Sequence, residues 1–131
     1  MKKIKGYIFS RPFLGERAPQ HIQNIIIRDF CKKKKLHYNL SAVEYAMENY
    51  FKTLNELLSN LKNLHGIVAY SVFQLPSSNL ERKKILQKII SKKKTFYFAL
   101  EDLKISNLKD YRKIENIWLI KKILPHCLKK I

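Results

Sequence analysis

Apolar positions along the chain switch repeatedly between short continuous runs and helical spacing. The first run, Ile4–Ser10 (IKGYIFS), is β-branched and aromatic, and it reads as a strand. RPFLGERAP follows as a loop with two prolines and a glycine. Pro19 is suited to open a helix, because its missing N–H is not needed in the first turn. From Gln20 onward, Ile22, Ile25, Ile26 and Phe30 recur with helical spacing until Lys32, Lys33, Lys34 and Lys35. Leu36–Ser41 (LHYNLS) reads as a second strand, and AVEYAMEN as a loop. Leu54, Leu57, Leu58 and Leu61 mark a helix from about Tyr50 to Lys62. Gly66 introduces GIVAYS, the most continuously apolar strand, of the kind covered on both faces in a parallel sheet.

VFQLPSS is the next loop, and Ser78 or Asn79 is placed to cap a third helix ending near Ser91. TFYFAL reads as a fourth strand, followed by Glu101 and Asp102. Asn107 to Leu124 reads as a last helix carrying Trp118, with Pro125 as its stop. The alternation β-α-β-α-β-α-β-α predicts one α/β domain over residues 1–131. It is a three-layer sandwich, with a four-stranded, mostly parallel sheet and helices on both faces. Residues 1–103 form its core and 104–131 its C-terminal helix.

Composition fits a globular chain: 131 residues, 46% hydrophobic and 28% charged. No apolar run is long enough for a membrane span, and MKKIKGYIF is too short a lead for a signal peptide, so a cytoplasmic location is expected. The net charge is +17, from 27 basic and 10 acidic residues. Such a balance points to a polyanion partner. Only five of the 27 are arginine, however, the residue favoured for base readout and bidentate phosphate contacts. Lysine of this abundance beside many Ile and Asn also fits an AT-rich coding bias. Cys31 and Cys127 lie far apart in apolar patterns, and His21, His37, His65 and His126 are scattered. The expectation is reduced thiols, no metal and no cofactor.

In a parallel sheet the loops that follow strands gather on one edge, where ligands bind close to the point at which strand order reverses. Lys32–Lys35 and Lys92–Lys94 follow helices, so they belong to the opposite edge, near negative helix C-termini. The strand-following loops carry Ser10, Arg11, Arg17, Gln20 and Gln23, then Ser41, Glu44 and Tyr45, then Tyr70, Ser71 and Gln74, then Glu101 and Asp102. Arg11 and Arg17 beside a helix N-terminus suit a phosphate or carboxylate. Ser10, Glu44 and Ser71 are the catalytic candidates, and Gln20, Gln23, Tyr45, Tyr70 and Gln74 are candidates to orient a substrate. No nucleophile elbow, P-loop or dinucleotide fingerprint is present.

GYIFSRP, QHIQNIIIRDFC and GIVAYSVFQLP resemble the catalytic domain of serine recombinases of the resolvase type. That family opens with a strand ending in Arg-x-Ser and follows its third strand with Asp-Arg-Leu-x-Arg. Here the strand arginine falls on Phe9 and the nucleophilic serine on Arg11, with Ser10 one place away. The Asp-Arg-Leu-x-Arg segment falls on Phe73, Gln74, Leu75, Pro76 and Ser77. The resemblance implies a flavodoxin-like, resolvase-like sheet over about residues 5–102. It also implies a domain lacking the arginines that stabilise the transferring phosphate. SRPFLGERAPQHIQN, LSAVEYAM and GIVAYSVFQLP are also similar to blocks of the sporadic carbohydrate cluster proteins, a small bacterial family of surface-polysaccharide gene clusters. That resemblance implies a role in surface-carbohydrate biosynthesis, with an activated or acidic sugar, or a sugar phosphate, as the partner. The alternative is a nucleic-acid-binding relative of the recombinase domain without strand exchange. Trp118, Leu119 and Ile123 on the last helix offer a possible homodimer face.

Overall fold

The structure, a computed structural model, describes residues 2–9, 19–44 and 51–129. Strand β1 is Lys2–Phe9, helix α1 Gln20–Lys33, β2 Leu36–Glu44, α2 Lys52–Ser59 and β3 Gly66–Ala69. A 3-10 turn at Val72–Gln74 leads to α3, Asn79–Ser91. Strand β4 is Thr95–Phe98, β5 Leu103–Ile105 and α4 Leu108–Lys129. Among the described residues the sheet has five strands in the order β2-β1-β3-β4-β5. The first four are parallel, and β5 runs antiparallel to β4. This is the flavodoxin-like order, with its reversal between β1 and β3.

Side-chain alternation divides the sheet into two faces. Ile4, Ile8 and Val68 point to one side and pack with Ile27, Phe30 and Cys31 of α1. Tyr7, Phe9, Ile67, Phe96 and Phe98 point to the other and meet Leu54 and Leu58 of α2, Ile85, Leu86 and Ile89 of α3, and Ile114 and Trp118 of α4. Each fully buried Leu, Ile or Phe stabilises the fold by roughly 1.5–3 kcal/mol relative to exposure. Three helices cover one face among the described residues and α1 alone covers the other. Tyr97 and Ala99 of the β4 segment are therefore only partly buried on the α1 side.

Several expectations are corrected. The sheet is not four-stranded: β4 stops at Phe98, and residues 99–102 form a turn rather than continuing the strand. Ala99 and Leu100 donate their N–H groups to the carbonyls of Ala69 and Tyr70, and Asp102 takes a left-handed φ of 53° that returns the chain as β5. Aspartate tolerates this conformation better than most residues. A three-residue strand carries too little alternation to be seen as a pattern. Residues 104 and 105, expected within the C-terminal helical segment, belong to β5, and α4 begins at Leu108.

Strand β2 continues past Ser41 to Glu44. A bulge opposite Lys5 and Gly6 absorbs one extra residue, since Lys5 pairs with Asn39 and Gly6 with Ser41. Helix α2 is shorter than the leucine spacing implies, ending at Ser59. Pro125 does not stop α4, which continues to Lys129. A proline removes one backbone donor from the ladder, and the turns on both sides keep theirs. Ser78 does cap α3, accepting the N–H of Glu81 at 3.4 Å.

Two packing details matter below. A Cβ at Gly66 would overlap the Thr95 carbonyl across the β3–β4 pair, so only glycine fits. Arg82 of α3 is 1% exposed and ties α3 to α4. Its Nε donates to Glu115 at 3.0 Å and its Nη1 to the Pro76 and Ser77 carbonyls at 3.0 and 2.9 Å. Its guanidinium lies 4.3 Å from the centre of the Trp118 ring.

Candidate functional site

The carboxyl tips of β1 and β3 lie side by side where the strand order reverses. Gln23, in the first turns of α1, is fully buried there. Its amide accepts the Phe9 N–H and donates to the Phe9 carbonyl, both at 3.0 Å, as a neighbouring strand would. Gln74 Nε2 donates to Gln23 Oε1 at 2.8 Å. Gln74 Oε1 in turn accepts the N–H groups of Tyr70 at 3.0 Å and Ser71 at 3.3 Å. Ser71 Oγ donates to Glu101 Oε2 at 2.8 Å, and Val72 N–H donates to Glu101 Oε1 at 2.7 Å. An unbroken chain of hydrogen bonds thus runs from β1 to the β4–β5 turn.

Serine beside a carboxylate is a nucleophile–base geometry. Ser71 is 1% exposed, however, and its oxygen also accepts the Phe73 N–H at 3.2 Å, completing a capping box with Gln74. In this conformation the hydroxyl braces the turn and meets no reactant from solution. Glu44 serves the tip of β2 and the start of α2. It is fully buried, accepts the Tyr7 hydroxyl at 2.7 Å, and accepts the Thr53 and Leu54 N–H groups at 3.0 and 3.1 Å. Its carboxylate caps the positive end of α2 from the tip of β2.

The structure therefore brings Gln23, Gln74, Ser71, Glu101 and the Tyr70 backbone together, while Glu44 joins Tyr7 to the start of α2. Gln20 is exposed at the start of α1. Ser41 joins Asn24 and Tyr38 in a second small cluster, its hydroxyl donating to Asn24 at 2.7 Å. Ser10, Arg11, Arg17 and Tyr45 lie outside the described residues. Among those described, no three His, Cys, Asp or Glu side chains form a metal-holding group. No helix among them is long and apolar enough to cross a membrane.

A different concavity lies away from the strand tips. On the α1 face, beside β4 and β5, lies a cavity of about 480 Å³. Phe30 and Tyr97 wall it, their rings meeting edge-on with centroids 5.8 Å apart. Lys2, Lys34, Lys35 and Lys104 line it, with Asp102 the acidic residue among the lining. Lys34 Nζ stands 3.0 Å from Asp102 and 5.8 Å from the Phe30 ring centre. The Tyr97 hydroxyl meets His65 Nε2 at 3.1 Å. Burial lowers the His65 pKa below its ordinary 6.5, and the charges of Lys2, Lys94 and Lys104 lower it further. Burial also raises Tyr97 and pushes the Cys31 thiol up to about 11. The lysines of three separate segments thus share one basic field.

The sequence signal was Phe30 one turn before Lys32–Lys35. By topology the Lys32–Lys35 run belongs to the edge away from the usual site. Long lysine side chains and the absence of a second helix over Tyr97, among the described residues, bring them onto the open sheet face.

Strand order, the antiparallel β5 and the placement of the helices define the resolvase-like α/β class. Among solved structures the chain is similar to the crystal structure of the N-terminal catalytic domain of TP901-1 integrase. The TM-score is 0.66 at 12% identity, over 94% of this chain and 98% of that one. The likeness is one of fold. No family model matches the chain. No curated protein matches it either. The carbohydrate-cluster resemblance, and with it a sugar partner, gains no support from these comparisons.

Proposed function

We propose that this protein is a nucleic-acid-binding domain of the resolvase-like fold that carries out no strand exchange. The observation that carries the reading is the convergence of Lys2, Lys34, Lys35 and Lys104 on one face, in a chain of net charge +17. Phosphate backbones are bound by such fields through counterion release, without base readout. The low arginine content agrees with contacts to phosphates rather than base edges. The fold shared with an integrase catalytic domain supports a nucleic-acid setting. Strand exchange is left out because the positions corresponding to the recombinase motif hold Phe9 and Phe73–Ser77 rather than arginines.

The test pairs binding with chemistry. The protein should retard fluorescein-labelled 20-nucleotide DNA in native gels at physiological salt and leave supercoiled plasmid uncut under the same conditions. Failure to bind any single- or double-stranded probe at that salt would overturn the binding half. Nicked or recombined plasmid, abolished by Ser10→Ala, would overturn the other.

A further inference from the structure

The basic face is not a flat patch, because it contains a walled cavity. We infer that this cavity receives a single nucleotide unit, with the base packed against Tyr97, backed by Phe30, and the phosphate held by Lys34 and Lys104. The inference rests on the proposed nucleic-acid reading and narrows it to one site and one form of ligand, an unstacked nucleotide.

Four features of the cavity point this way. Its volume of about 480 Å³ falls within the roughly 300–1,000 Å³ of sites that enclose small organic ligands. The partly buried Tyr97 ring is backed edge-on by Phe30, itself 7% exposed, so a flat heterocycle can pack on Tyr97 with Phe30 behind it. The Tyr97 hydroxyl meets His65 Nε2 at 3.1 Å, a contact that orients the ring before any ligand arrives. Lysine ammoniums around an aromatic wall form the combination that binds unpaired strands, where bases stack on rings and cations follow the phosphates. A base paired within a duplex could not enter a concave site of this kind, so an unpaired base is the form that fits.

Asp102 shows how the phosphate would enter. It ion-pairs with Lys34 at 3.0 Å, with both side chains partly in water. A phosphate arriving at Lys34 competes with that carboxylate. Both Asp102 and Lys35 hold left-handed backbone conformations, with φ of 53° and 58°. These turns set the two residues at the cavity rim, one from the β4–β5 turn and one from the end of α1.

Calorimetric titration of the intact protein tests the assignment, using adenosine 5′-monophosphate, adenosine and ribose 5-phosphate. The monophosphate is expected to bind at least about tenfold more tightly than ribose 5-phosphate, since stacking of one base contributes about a factor of ten or more, and also more tightly than adenosine, which lacks the phosphate for Lys34 and Lys104. Lys34→Gln with Lys104→Gln should weaken it about tenfold, as two solvent-screened phosphate contacts are lost. Asp102→Asn should strengthen it about threefold by freeing Lys34. Lys109→Gln with Lys113→Gln on exposed α4 removes the same charge elsewhere and should change it less than about twofold.

Equal binding of ribose 5-phosphate would overturn the inference, because no base would then be recognised. Equal weakening by the α4 pair would also overturn it, as bulk charge would suffice. Tyr97→Leu should abolish the preference for the monophosphate over ribose 5-phosphate. Should that variant fail to fold, the ligand series on the unmodified protein still decides. Strand binding that survives the Lys34/Lys104 change while the mononucleotide fails to bind would sink this site and leave the proposed function standing. Mononucleotide binding as expected, with no strand bound at physiological salt, would uphold the cavity and sink the proposed function.

Discussion

Replacing Arg82 by methionine tests how the molecule holds α4 in place. The guanidinium is 1% exposed and makes hydrogen bonds to Glu115, to the Pro76 and Ser77 carbonyls and to Asn79, while covering the Trp118 ring. Methionine keeps much of the apolar volume over Trp118 but takes the Arg82 donors from the Pro76 and Ser77 carbonyls and leaves the Glu115 carboxylate with the Tyr111 hydroxyl but without its counter-charge. Breaking a buried ion pair from one side costs about 3–5 kcal/mol. Glu115 keeps 22% of its side chain in water, so the lower end, about 3 kcal/mol, is expected. With a urea m-value of about 1–3 kcal/mol per molar, the midpoint falls by about 1–3 M.

Glu115→Gln keeps an acceptor but removes the counter-charge of the buried guanidinium, which still has the Pro76 and Ser77 carbonyls, so a cost of about 2 kcal/mol, below that of Arg82→Met, is expected. Combining Arg82→Met with Glu115→Leu should cost less than the sum of the two singles by more than about 1 kcal/mol, since no unpaired charge then remains. Equilibrium urea unfolding followed by circular dichroism supplies all these values. A loss below about 1 kcal/mol for Arg82→Met, or simple additivity in the cycle, would refute the claim that this network joins α3 to α4.

Other outcomes follow from single contacts. Gly66→Ala should lower stability by at least about 2 kcal/mol, because the added carbon meets backbone at Thr95 rather than a movable side chain; thermal unfolding would show it, and a neutral substitution would contradict the close approach of β3 and β4. Cys31, with its thiol raised to about 11, should resist iodoacetamide at pH 8 in the native protein and react on unfolding, as peptide mass mapping can follow. His65, lowered by burial and by Lys2, Lys94 and Lys104, should titrate below 6.5 by proton NMR and move upward in 0.5 M salt as the lysine fields are screened. Its sign for stability follows: the unfolded chain takes up the proton first, so stability is lost as pH falls below about 6.5 and is regained above it. A midpoint at or above 6.5 in low salt would contradict the arrangement.

The first four strands were legible because each pairs a β-branched or aromatic run with flanking Gly, Pro or lysine punctuation. IKGYIFS and GIVAYS are examples. The parallel order followed from their alternation with helices. Strand β5 was hidden because Leu103–Ile105 is too short to show a period, and its turn depends on a left-handed aspartate that no pattern announces. The bulge that carries β2 to Glu44 is likewise a tertiary feature, set by pairing with β1.

Topology places Gln23, Ser71, Gln74 and Glu101 at the strand tips, but the burial of such polar residues could not be read from the chain. Gln23, Gln74 and Glu44 are polar types that mostly lie at the surface, and here each satisfies buried backbone groups. The lysine cavity was missed for the converse reason. Lys34 lies far in sequence from Tyr97 and Lys104, which face each other as cross-strand partners of β4 and the unforeseen β5, and the uneven covering of the two sheet faces leaves all three beside one cavity.

The most direct measurement is the salt dependence of binding to a fluorescein-labelled 12-nucleotide single strand, read by anisotropy, for the protein and its Lys34→Gln/Lys104→Gln variant. Four lysine contacts imply a log–log slope of about −3 for the unmodified chain, falling to about −1.5 in the variant. The Lys109→Gln/Lys113→Gln protein should retain the steeper slope. Identical slopes for all three proteins, or no binding even at 50 mM salt, would contradict the assignment of the lysine-lined α1 face as the working surface.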